Sequence, residues 1–84
     1  GSGTLSGVFQ GNVFIQPGSK TTINGQVAGD IIVGSGSELT IHGQVQGNIT
    51  APGSTVAIHG VLMGNLVVGS SKAEIHGVHM GQVI

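Results

Sequence analysis

The chain has 84 residues, enough for one domain, and carries two Lys, three Asp or Glu and a net charge of −1. With Lys20 and Lys72 as its whole basic complement, it lacks the electrostatic footprint of a nucleic-acid or anionic-membrane binder. Without cysteine it has no disulfide framework and no thiolate zinc site, and its 17 Gly fall neither in the collagen period nor among the sparse apolar residues of a disordered chain.

In chain order, residues 1–4 read as a tag or leader remnant and residues 5–84 as a single domain. The first unit is LSGVFQGNV, Leu5–Val13, followed by a bend at Pro17-Gly18. INGQVAGDI, Ile23–Ile31, repeats it and runs into Gly34-Ser35-Gly36. IHGQVQGNI, Ile41–Ile49, is the third copy and Pro52-Gly53 its bend. IHGVLMGNL, Ile58–Leu66, is followed by Gly69-Ser70, and IHGVHMGQV, Ile75–Val83, is the last. The inner motif begins at Gly7, Gly25, Gly43, Gly60 and Gly77, in steps of 18, 18, 17 and 17 residues.

That step is too short for a helix pair, since helical repeats need over about 30 residues. It suits one turn of a coil with three short faces. Apolar residues alternate with polar ones, as at Val27, Ile31, Val33, Leu39 and Ile41, and this is the strand period. The predicted fold is all-β: a single-stranded parallel β-helix, or β-solenoid, of about five coils of 17–18 residues with three faces per coil. Stacking the copies gives interior columns. One reads Leu5, Ile23, Ile41, Ile58, Ile75; a second Val13, Ile31, Ile49, Leu66, Val83; a third Phe9, Val27, Val45, Leu62, His79. A fourth holds Ile15, Val33, Ala51 and Val68, and a fifth Thr21, Leu39, Val56 and Ala73. Ten Gly form two further columns, where corners need φ > 0 or close backbone approach. The third bend absorbs the difference between 17 and 18.

The units Gly25-Gln26-Val27-Ala28-Gly29-Asp30-Ile31 and Gly43-Gln44-Val45-Gln46-Gly47-Asn48-Ile49, repeated from Leu5 to Ile84, resemble those of the bactofilins, the bacterial polymer-forming cytoskeletal proteins. The resemblance implies a right-handed coil that assembles end to end without nucleotide. It also implies a cytoplasmic location, with any membrane contact made through a segment absent from these 84 residues.

Several side-chain columns invite a site. His42, His59 and His76 share an outward column, where two neighbouring imidazoles could hold Zn²⁺ but three could not. Glu74, two residues from His76 on a neighbouring strand position, does not complete a ligand set, so the rings are expected to stack, partly hydrogen-bonded to backbone, and no metal or other cofactor is expected. Asn12, Asp30, Asn48, Asn65 and Gln82 form a structural column, through amide–amide ladders or bonds to the local turn. His79, in an interior column, needs a polar partner if buried and is expected to lie open on an incomplete last coil. The acidic residues Asp30, Glu38 and Glu74 fall on different columns, so no paired-carboxylate chemistry is expected and the chain is read as non-enzymatic.

What remains is surface. A solenoid exposes unpaired strand edges and core side chains at its two ends. Leu5, Phe9 and Val13 stand at one end, Val83 and Ile84 at the other. Outward positions turn apolar toward the C-terminus at Val61, Met63, Val67, Val78 and Met80. These ten residues are the expected self-association set, and the expected partner is another copy of the chain. The alternative is a module that docks a different protein, such as an inhibitor, an immunity factor or an adhesin segment.

Overall fold

The computed structural model describes residues 2–69 and 72–84. The first layer carries β1 (Ser2–Leu5), β2 (Val8–Gln10) and β3 (Val13–Ile15), and the second β4 (Lys20–Ile23), β5 (Gln26–Ala28) and β6 (Ile31–Val33). The third holds β7 (Glu38–Ile41), β8 (Gln44–Gln46) and β9 (Ile49–Thr50), and the fourth β10 (Thr55–Ile58), β11 (Val61–Met63) and β12 (Leu66–Val67). The fifth holds β13 (Lys72–Ile75) and β14 (Val78–Met80) and ends in a bridge from Val83 to Leu66. All pairing is parallel and runs between layers, in three sheets ordered β1-β4-β7-β10-β13, β2-β5-β8-β11-β14 and β3-β6-β9-β12. The chain is thus a three-faced β-solenoid of about four turns, with a fifth layer begun, and no helix occurs among the described residues.

The columns are those set by the repeat. Leu5 pairs with Ile23, Ile23 with Ile41, Ile41 with Ile58 and Ile58 with Ile75. Ile23, Ile41 and Ile58 are fully buried, as are Val27, Val45 and Leu62 on the second face and Ile31, Ile49 and Leu66 on the third. Short strands suffice because each needs only one or two inward side chains, and β-branched residues fill that pleated interior. The change of step falls at the third bend: Lys20 pairs with Glu38 eighteen residues on, but Glu38 with Thr55 seventeen on. The first strand takes in Ser2–Leu5, so residues 2–4 form part of the coil; Gly1, in the segment read as a leader, and Ser70, in the fourth bend, lie outside the described residues.

The two glycine columns have different physical causes. At Gly43 φ is not in the left-handed region, yet a Cβ there would overlap the carbonyl oxygen of Gly25 in the layer below. At Gly47 φ is +145°, and a Cβ would also overlap the Gly29 carbonyl. From the second layer on, the first column therefore serves close layer-to-layer approach and the second approach and conformation together, whereas in the first layer Gly7 and Gly11 serve conformation alone, with φ +106° and +110°.

Candidate self-association surface

The solenoid's ends carry the first part of the expected surface. Leu5, Phe9 and Val13 pack against the core but stay half-buried, because no layer covers them. Beside them an open hollow of about 360 Å³ is lined by Leu5, Val13, Ile15 and Thr21 among others. It lies where Gly3 takes the inward position that Thr21, Leu39 and Val56 fill above it. At the opposite end Ile75, Val83 and Ile84 are exposed.

The outer columns carry the second part. Met63, Val78 and Met80 are exposed as expected, whereas Val61 and Val67 are only half-buried. The apolar exterior is not confined to the C-terminal side. Phe14 is 71% exposed, Val8 67%, and Ile32 is exposed too. Phe14 pairs with Ile32, Ile32 with Thr50 and Thr50 with Val67, so the third face carries a nearly continuous apolar stripe along the rod. Phe14 lies between the inward Val13 and Ile15, so strand alternation turns it outward, but a run of three apolar residues does not display that alternation in the sequence. The charged side chains gather elsewhere. Lys20–Glu38 (3.5 Å) and Lys72–Glu74 (3.7 Å) are exposed ion pairs on the outer side of the first sheet. Such pairs contribute little stability but keep that face solvated.

The histidine column is stacked as expected. The rings of His42 and His59 lie 5.1 Å apart at 12°, and those of His59 and His76 4.9 Å apart at 6°. One correction is needed: the three side chains make no hydrogen bond to backbone among the described residues. Glu74 Oε2 lies 3.6 Å from His76 Nε2 at the end of the column. Residues two apart on a strand share a side, and both side chains are long enough to meet. Among the described residues no group of three or more His, Cys, Asp or Glu is placed to hold a metal.

His79 is half-buried rather than open. Its Nε2 lies 2.9 Å from the Gly64 carbonyl, the partner an inward imidazole requires. The Asn/Asp column is structural, but it is no amide–amide ladder. In the first four layers the side-chain oxygen accepts from the backbone N–H of the next layer: Asp30 N to Asn12 Oδ1 (3.3 Å), Asn48 N to Asp30 Oδ1 (3.0 Å), Asn65 N to Asn48 Oδ1 (2.9 Å) and Gln82 N to Asn65 Oδ1 (3.1 Å).

A third polar column escaped the sequence reading. Ser37 and Ser54 are buried at the third corner. Ser37 Oγ donates to the Gln16 carbonyl (2.9 Å) and accepts from Ser19 N (3.3 Å). Ser54 Oγ donates to the Gly34 carbonyl (2.7 Å) and accepts from Ser37 N (3.3 Å). The signal was available, since Ser19, Ser37 and Ser54 keep the steps of 18 and 17.

Comparison of the chain with protein-family models, with curated proteins and with solved structures found no match.

Proposed function

We propose that this protein is a non-enzymatic structural element that self-assembles through the ends of its solenoid, a bactofilin-like cytoskeletal scaffold working in the cytoplasm. The observation that carries the reading is the pair of uncovered end layers. Leu5, Phe9 and Val13 stay half-buried at one end and Ile75 and Val83 exposed at the other, each at the head of a column buried in the middle layers. A rod of five layers at about 4.8 Å is no longer than it is wide, so its ends are a large share of its surface. Extents of 27 × 25 × 21 Å agree with that proportion. Covering an end removes apolar side chains from water at about 25 cal/mol per Å² and gives the free strand edges partners.

Sedimentation velocity and negative-stain microscopy of the 84-residue chain at micromolar concentration test the reading. Oligomers or filaments are expected, and Val83→Lys with Ile84→Lys should shrink them to monomer while the β circular dichroism signal persists. A monomer at every concentration, or a double variant sedimenting like the parent, would overturn it.

The stripe through Phe14, Ile32 and Val67 supports a second reading, in which a flank of the solenoid docks a different protein. A monomer in solution that captures a heterologous partner, and loses it on Phe14→Lys, is the outcome that reading requires.

A further inference from the structure

We infer that the end-to-end contact is polar: the last layer of one copy lies under the first layer of the next, and the coil continues across the junction in unbroken register. This rests on the reading that the chain associates through its ends and adds the direction of stacking.

The Asn/Asp column supplies the direction. Every bond in it runs the same way, from the backbone N–H of one layer to the side-chain oxygen of the layer before it. At the last layer the Gln82 side chain has no such amide to accept from, and at the first the Asn12 N–H has no oxygen beneath it among the described residues. Head-to-tail stacking closes both: Asn12 N–H donates to the side-chain oxygen of Gln82 from the copy below. A symmetric junction closes neither. Two first layers face each other with amide donors on both sides, because the Asn12 oxygen is already engaged by Asp30 N–H. Two last layers face each other with side-chain acceptors on both sides.

The rest of the layer follows the same register. Leu5 falls on Ile75, Phe9 on His79 and Val13 on Val83, extending the three inner columns. Gly7 falls on Gly77, the pairing the close-approach corner demands. At Gly25, Gly43, Gly60 and Gly77 a Cβ would overlap the carbonyl of the glycine below. A polar contact of this kind does not close on itself, so it generates an open filament rather than a dimer.

Cysteine cross-linking reads the polarity, and the chain has no cysteine of its own. Thr4 and Glu74 are outward on the first sheet and become neighbours only across a head-to-tail junction. Within one chain they stand four layers apart, beyond disulfide reach, whereas adjacent layers are within it at about 4.8 Å. The double variant T4C/E74C should give, on oxidation, a ladder of covalent oligomers on a denaturing gel, and each single variant should stay monomeric there. Single variants that dimerise, or a double variant that assembles by sedimentation without forming the ladder, would overturn the polarity and leave end association standing. A chain that never assembles would overturn both. As a second arm, Gln82→Ala should raise the concentration at half-assembly about two- to tenfold, the effect of losing one hydrogen bond. Gln82→Asn, which restores the side chain used in the other layers, should return it to the parent value. An unchanged Gln82→Ala would count against the junction bond.

Discussion

At the scale of single residues, Gly43 shows how a layer spacing becomes a sequence requirement. Adjacent layers can approach to hydrogen-bonding distance at that corner only where no Cβ intrudes on the carbonyl below. Gly43→Ala should therefore cost about 3 kcal/mol or more, at or above the upper end of the usual range for overpacking. Gly3→Ala is the matched control, because a Cβ there meets nothing within 4 Å. It should stay within about 0.5 kcal/mol of the parent or gain slightly by restricting the unfolded chain. Urea unfolding monitored by circular dichroism, in the Val83→Lys/Ile84→Lys background to suppress assembly, compares the two. Equal midpoints would refute the close-approach explanation.

At the scale of strands and corners, the stack predicts a gradient of core cost along the rod. Ile41 lies between Ile23 and Ile58 and is wholly buried, while Ile75 heads the same column and is exposed. Ile41→Ala should destabilise by about 2–5 kcal/mol and Ile75→Ala by under about 1 kcal/mol, read from denaturation midpoints as above. Equal losses would mean that the end layer is covered in the monomer. The strands and their columns were legible in the sequence because a fixed step makes register a matter of counting. A slip of one residue in β7 would have turned Leu39 and Ile41 outward. The corners were less legible. Ser37 and Ser54 sit in bends rich in Gly and Pro, where a hydroxyl reads as a solvated turn residue. They are buried at the corner, and each hydroxyl finds a carbonyl in the layer below. The Asn/Asp column was recognised by its spacing, but spacing does not say whether a side-chain oxygen meets a neighbouring amide side chain or a backbone N–H. The repeat puts His79 in an inward column, but it does not show that the ring is half-buried and bonded. Its partner, the Gly64 carbonyl, belongs to the layer below and to a corner whose backbone direction the sequence does not reveal.

At the scale of the whole molecule, one asymmetry joins the parts. The outer side of the first sheet carries Lys20, Glu38, Lys72 and Glu74, so it is the face most adapted to water. The ends and the outer sides of the second and third faces carry the exposed apolar residues. The end surface was half legible: the heads of the columns followed from the repeat, whereas the hollow at Gly3 and the exposed Phe14 depend on three-dimensional closure. Stacking through the ends and packing through the flanks orient the strands differently in any assembly, and X-ray diffraction from an aligned, concentrated sample separates them. End-to-end stacking places the strand spacing of about 4.8 Å along the fibre axis, so that reflection falls on the meridian. The single filament is then about as wide as one solenoid, whose largest extent is 27 Å. A 4.8 Å reflection on the equator, from rods lying side by side, would contradict assembly through the ends.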